Sequence, residues 1–363
     1  MSFYSFKVLE NNLYQVYIII NLCKKNESFL MKKCFLLVLL LAGIVLSAAG
    51  KSYDPEVFAV RGKARDYTGV FPPHVKTIAV ITPASYPAPG NLLAGVELLR
   101  KAGYKVKVYP NVLRKPEGEN KTGYAAIPLK YRIADFEAAW SDLENDMIIC
   151  SRGGRGTEDL INNVNWAKLP RRPELYLLGC SDVTMLVSFM ISNGYGRPLA
   201  GPTANGLPGL TAPIIPAMKK MLHGEEVAVK LKPLKSGDAS GKVVAGLLSR
   251  YLRLVDGKYG FSTAGKIVVI EGVGNSSKYV AKSLDTLLEK GFFKGAVAVV
   301  FGHFSRPVDR EQIDIELEKF AAKLDIPVYR GFPFGHQADN LVIDFTRDAF
   351  IKNNVITFPK VKK

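Results

Sequence analysis

Nucleophilic chemistry needs a hydroxyl or thiol at a sharp turn, a base within reach and donors for the negative charge that develops. In "LLGCSDVTML" an apolar run ends at Gly179, Cys180, Ser181 and Asp182 follow side by side, and helical spacing begins. A serine on a strand-to-helix turn exposes its hydroxyl, and N–H groups at the helix start can hold an oxyanion. The plainer reading of the stretch alone is a cap, with Ser181 or Asp182 accepting from the backbone. G-x-S-D is not G-x-S-x-G, and Cys180 is a minor alternative nucleophile.

Three further places could serve such a group. "SRGGRG" (151–156) follows a strand-like run. Its Gly153 and Gly154 could bring backbone N–H groups up to an oxyanion or a carboxylate, while Arg152 and Arg155 could pair with an acidic substrate group. A tight turn before a helix fits the same residues. A base working near neutral pH is most simply a histidine, and the chain has only His74, His223, His303 and His336. His336 lies in the loop-like "GFPFGHQADN" and His303 in "FGHFS", at the end of another apolar run. Glu271 closes "KIVVIE", where a carboxylate is costly unless paired. It could orient a histidine and stabilise its imidazolium form, or bridge to a lysine. "GVGNSSK" lacks the spacing of a phosphate loop, and metal-ligand spacing appears nowhere, so neither a cofactor nor a metal is expected.

The elements that must position these residues alternate strand and helix, which implies α/β architecture. Residues 72–205 read as a flavodoxin-like, three-layer domain with a parallel sheet, carrying Ser181. Residues 206–241 are turn-rich and polar and read as a linker. Residues 242–350 read as a smaller mixed α/β domain carrying Glu271 and His336, in which "KVVAGLLSRYLRLV" and "AGKIVVIEGVG" supply strands. Both glycine-bearing turns fall at carboxyl ends of strands, where open sheets hold their ligands.

The N-terminus reads differently. "MKKCFLLVLLLAGIVLSAAG" from Met31 has two lysines, a short apolar core and small residues, the layout of a signal peptide over 31–49. This predicts export, to the periplasm or beyond, with no membrane insertion after cleavage. Residues 1–30 read as an upstream extension from a misplaced start, the alternative being a genuine extension or anchor. Removing residues 1–49 takes away five Lys and two Glu and leaves a net charge of +13, which favours anionic polymers. No zinc finger, aromatic-interleaved basic motif or basic helix supports nucleic acid as a partner. It also leaves only Cys150 and Cys180, which read as buried thiols rather than a disulfide framework.

Taken in order, the Gly-Gly turn, the Ser in G-x-S-D, the Glu after an apolar strand and the His in F-G-H resemble the LD-carboxypeptidase family of serine peptidases, the muramoyltetrapeptide carboxypeptidase and microcin-immunity group. The similarity runs from Val75 to Phe345 and includes "AKSLDTLLEKGFF", "AVVFGHFS" and "VYRGFPFGHQADN". The resemblance implies Ser181 as nucleophile, Glu271 and His336 as triad acid and base, and the N–H groups of Gly154 and Asp182 as the oxyanion hole. It gives His303 no catalytic role. It implies a site between the two domains, a homodimer, and hydrolysis of the bond to a C-terminal D-amino acid in a peptidoglycan-derived peptide, with Arg152, Gly153 and Arg155 near the substrate. There are departures. Family members often carry an aromatic residue at Cys180, a tyrosine at Arg155, His-Gly-Pro where this chain has Ala200-Gly201-Pro202, and Gly-Gly-Asn-Leu where it has "AGLL" (245–248). The second acidic residue often found after the triad Glu is absent from "EGVGNSS". These leave two alternatives: the same triad acting on another substrate, such as a peptide–nucleotide conjugate, or a non-catalytic wall-binding protein.

Overall fold

Thr77–Ile81 (β1), TIAVI, is buried at every residue, as a strand covered on both faces requires. It belongs to a computed structural model that describes residues 65–117 and 125–362. The expectations for residues 1–30 and 31–49 lie outside the described residues.

β1 pairs in parallel with β2 (Lys105–Val108) and β3 (Met147–Cys150), and β4 (Tyr176–Gly179) and β5 (Arg197–Ala200) continue the sheet in parallel. The order 2-1-3-4-5 is that of flavodoxin-like sheets, whose ligand crevice opens at the carboxyl ends where the order reverses. Four helices make the crossovers: α1 (Pro89–Lys101), α2 (Leu129–Ser141), α3 (Thr157–Asn163) and α4 (Thr184–Asn193). α1 opens on a proline whose missing N–H costs nothing there. α4 stops at Gly194, whose left-handed φ of 68° lets its N–H bond to the Met190 carbonyl.

The supposed linker is structured. Residues 206–241 hold α5 (Ile214–Leu222) and the strands β6 (Val227–Lys230) and β7 (Lys232–Lys235). Ile214, Ile215, Met218, Met221 and Leu222 are all buried, a helical stripe that the surrounding prolines and glycines obscure in the sequence. β8 (Ala239–Leu247) ends sooner than expected. "LSRYLRL" is a helix, α6 (Leu248–Leu254), burying Leu248, Tyr251 and Leu254 at helical spacing. β9 (Lys266–Val273), α7 (Ser277–Glu289), β10 (Ala298–Ser305), α8 (Arg310–Ala322) and β11 (Val328–Arg330) complete a parallel centre in the order 8-9-10-11.

A short strand, β12 (Ile343–Asp344), then leaves the expected second domain and pairs antiparallel with β5. The first sheet is therefore six-stranded and mixed at that edge. β12 covers the edge of β5, which would otherwise present unpaired backbone groups. Its Asp344 carboxylate is fully buried and accepts from Arg197 Nε at 2.9 Å, Thr346 N at 2.9 Å and Thr346 Oγ1 at 2.7 Å. β13 (Asp348–Lys352) and β14 (Val355–Phe358) return to the second sheet, eight-stranded with β6 and β7 at its edges.

Candidate active site

β4 feeds directly into the turn that holds Ser181. Gly179 packs so closely on Val183 that a Cβ there would lie 2.6 Å from Val183 Cγ1. Cys180 is extended, and Ser181 then takes φ +61° before a short 3₁₀ turn leads into α4. A left-handed serine costs about 1–2 kcal/mol, strain that concentrates at functional turns. The cap reading fails for α4, whose start has no side-chain cap. Asp182 instead caps a different helix. Its Oδ2 accepts from Thr157 N at 2.9 Å at the start of α3, and the Thr157 hydroxyl lies 2.6 Å from the Asp182 carbonyl oxygen. Arg250 of α6 forms an ion pair with Asp182 Oδ1 at 3.0 Å. Burial pushes the Asp182 carboxyl up, the Arg250 charge and the Thr157 bonds oppose this, and the net direction is upward.

The "SRGGRG" turn folds against the serine. A Cβ on Gly153 would stand 2.6 Å from Ser181 Cβ and 3.0 Å from Ser181 Oγ, so only glycine fits there. Gly154 has φ +112°, and among the described residues no acceptor takes its N–H. The Asp182 N–H sits in the first turn after Ser181, where N–H groups lack intrahelical acceptors. Asp182 directly follows Ser181, and Gly154 follows the Gly153 that packs against it. Ser85 stabilises the turn from β1's side: its N–H donates to Gly153 O at 3.2 Å, and its Oγ accepts from Arg155 N at 3.0 Å.

Glu271 is fully buried in β9, and its Oε2 lies 2.8 Å from His336 Nδ1. Burial disfavours the imidazolium form of His336, but the bond and charge of Glu271 outweigh it and hold the histidine above its ordinary value. The loop carrying His336 is tied at both ends. His303 N donates to Phe334 O at 2.8 Å, Gly335 N to Asn340 Oδ1 at 3.2 Å, and Leu341 N to Pro333 O at 2.7 Å.

The serine and the Glu–His pair come from different sheets, and the segments that carry them are in contact. Leu247, the register partner of Glu271, donates its N–H to Thr184 Oγ1 at 3.1 Å, three residues after Ser181. A side chain on Gly246 would collide with Thr184 at 2.3 Å. Cys180 also feels Glu271: burial first, then that carboxylate charge, pushes its thiol up to about 12. Cys180 therefore stays protonated at neutral pH and is a poor nucleophile.

The LD-carboxypeptidase N-terminal domain family matches residues 78–196, and the LD-carboxypeptidase C-terminal domain family matches residues 240–349. The chain belongs to the LD-carboxypeptidase family. It is 27% identical over 280 residues to the probable murein peptide carboxypeptidase of Bacillus subtilis, covering 74% of this chain and 86% of that one. It is 26% identical over 295 residues to the murein tetrapeptide carboxypeptidase of Pseudomonas aeruginosa, covering 76% and 93%. The crystal structure of muramoyltetrapeptide carboxypeptidase from Oxalobacter formigenes superposes with a TM-score of 0.66 at 24% identity, over 77% of this chain and 97% of that one. The protein is accordingly a carboxypeptidase, a hydrolase.

Within this LD-carboxypeptidase the remaining candidates separate. Arg152 turns its Nη1 to the Tyr86 carbonyl at 3.1 Å, while Arg155 is exposed beside the turn. His74 stacks on Tyr176 and His223 holds the Gly69 and Phe71 carbonyls, both far along the fold from these turns. His303 lies in an irregularity of β10, its Nε2 3.0 Å from Asp339 Oδ2. Sequence reading missed Thr157, Arg250 and Asn340, which hold the site's turns. Thr157 carried one unused signal, a Thr just after the Gly-rich turn. Arg250 and Asn340 carried none, because their partners are distant or follow a loop of irregular shape.

Proposed function

We propose that the protein is a serine-type LD-carboxypeptidase that removes the C-terminal D-alanine from tetrapeptide stems of peptidoglycan. The observation that carries the proposal is the 2.8 Å contact between His336 Nδ1 and Glu271 Oε2 in a chain whose Ser181 is left-handed. With its Nδ1–H donated to Glu271, the neutral imidazole keeps its lone pair on Nε2. Nε2 takes the Ser181 proton as Oγ attacks the carbonyl carbon. The oxyanion accepts from the N–H groups of Gly154 and Asp182. The imidazolium, stabilised by Glu271, then protonates the leaving amine of D-alanine, and water repeats the cycle on the acyl-enzyme. Arg152 and Arg155, on the Gly-Gly turn, are the cations we assign to the terminal carboxylate of the substrate. The names of the murein-directed relatives support this substrate. Export through residues 31–49, a metal- and cofactor-free reaction and a homodimer complete the reading.

The test is mass spectrometry of purified tetrapeptide after incubation with the protein. Loss of one alanine is expected with the natural protein. With Ser181→Ala turnover drops by roughly 10⁴–10⁶-fold at unchanged fold. A folded natural protein that releases nothing refutes the substrate, and release by Ser181→Ala refutes the nucleophile.

A further inference from the structure

A cavity of about 250 Å³ lies between β7, β10, β11 and α8. None of Ser181, Glu271 or His336 lines it. Its lining includes the buried apolar side chains of Ile313 and Leu317 of α8. Its rim is cationic, formed by Lys232, Arg310 and Arg330. Two of these cations face each other directly, because Arg330 of β11 is the antiparallel register partner of Lys232 in β7. Like charges in that position repel and weaken a sheet edge. Asp314 relieves only one of them, through its ion pair with Arg330 at 2.9 Å. Among the described residues neither Lys232 nor Arg310 forms an ion pair, so a surplus of positive charge remains around the cavity.

The start of α8 adds to it. Arg310 is the first residue of that 13-residue helix, and no side chain caps it. Asp309, the residue placed to do so, gives its carboxylate to the N–H of Ser277 at 2.7 Å and to the Ser277 hydroxyl. The positive end of the helix dipole therefore lies beside these cations, with Glu311 in the first turn as its acidic neighbour. The volume is below the roughly 300–1,000 Å³ of sites for drug-sized ligands, so the occupant is small. An apolar lining beside a cationic rim selects an anion with a short apolar arm rather than a bare ion.

We propose that this cavity is a second binding site, for a small organic anion whose carboxylate or phosphate group is held by Lys232, Arg310 and Arg330 while its apolar arm lies over Ile313 and Leu317. The site is separate from the serine centre but abuts it. His303 lines the cavity, and its backbone N–H holds the Phe334 carbonyl two residues before His336.

Thermal melting of the purified protein, titrated with inorganic phosphate and separately with butyrate at constant ionic strength in chloride, tests the proposal. A rise in Tm of roughly 3–8 °C is expected at about 100 times the Kd of the probe that binds, growing with the logarithm of its concentration. A rise with butyrate alone assigns a carboxylate on an apolar arm, a rise with both assigns oxyanion chemistry shared by carboxylate and phosphate, and a rise with phosphate alone overturns the apolar arm. Lys232→Gln combined with Arg310→Gln alters only exposed side chains and abolishes the rise, whereas Asp314→Asn lowers the apparent Kd several-fold by removing the one competing carboxylate. Ser181→Ala leaves the response intact whether or not the protein hydrolyses tetrapeptide. Melting no different from chloride alone, a response surviving the double substitution, or a response lost in Ser181→Ala overturns the proposal.

Discussion

In the proposed mechanism Glu271 and His336 set the pH behaviour of the site. Their pairing raises the histidine, and as a base His336 works only when neutral. The acidic limb of kcat/KM is therefore expected above the ordinary histidine value of about 6.5. Glu271→Gln moves that limb down and cuts kcat by up to about 10⁴-fold. A limb at the same pH in both proteins excludes Glu271 as the group that tunes the base. The stability linked to this pair has the opposite sense. It is complete below the unfolded histidine's value and is lost as pH rises through the folded one. Gly153 gives a second test at this scale. Gly153→Ala places a methyl group 2.6 Å from Ser181 Cβ. Displacing a nucleophile by about 1 Å costs roughly 10²-fold in kcat/KM. Steady-state kinetics alongside a melt separates this from unfolding, since the collision is at the serine and not in the core.

The elements around Ser181 are joined through one buried carboxylate. Asp182 is only 2% exposed, yet it connects the start of α3, the nucleophile turn and α6 of the other sheet, through Thr157 and Arg250. The turn bearing Gly154 runs into Thr157, and Asp182 itself is the other oxyanion donor of the proposed mechanism, so one side chain ties together the segments that carry both N–H groups. Arg250→Met leaves that carboxylate buried without its cation. The expected cost is roughly 2–4 kcal/mol, below the range for a wholly buried pair because Arg250 is 24% exposed. Denaturant melts measure the cost. A fall in kcat that exceeds the change in KM marks the loss of oxyanion geometry, and unchanged kcat in a folded Arg250→Met protein removes this role.

At the scale of the whole molecule, the chain crosses between its sheets more than once. After the His336 loop it returns to the first sheet as β12, and Thr211 N donates to Ala338 O at 2.8 Å, tying that loop to residues beyond β5. Gly201, just after β5, lies so close to Val342 that a Cβ would approach Val342 Cγ2 to 2.8 Å. The two sheets are thus expected to melt as one unit. Asp344→Ala strips the 31% exposed Arg197 of its buried partner and is expected to cost about 2–4 kcal/mol while preserving a single calorimetric transition. Two resolved transitions in the natural protein contradict this coupling.

The residue types and their order were legible without coordinates. A serine after a buried run, adjacent glycines, a carboxylate closing "KIVVIE" and a histidine in a Gly/Pro-rich loop each carry a local signal, and so do the strand–helix alternation and the strands from β1 to β4, whereas β5 is hidden in the turn-rich "RPLAGP". Such signals are local because burial periodicity and turn chemistry act over a few residues. What only the tertiary structure decided depends on distant partners. Ser181 is a turn rather than a cap because Asp182 is drawn to Thr157 and Arg250, 25 and 68 residues away along the chain. "LSRYLRL" became helix rather than strand through packing of Leu248, Tyr251 and Leu254, and residues 206–241 became α5 and two edge strands because the sheets needed covering there. β12 left its domain because the edge of β5 and the side chain of Arg197 awaited it. A two-residue strand has no pattern of its own, so its place is set entirely by what it pairs with.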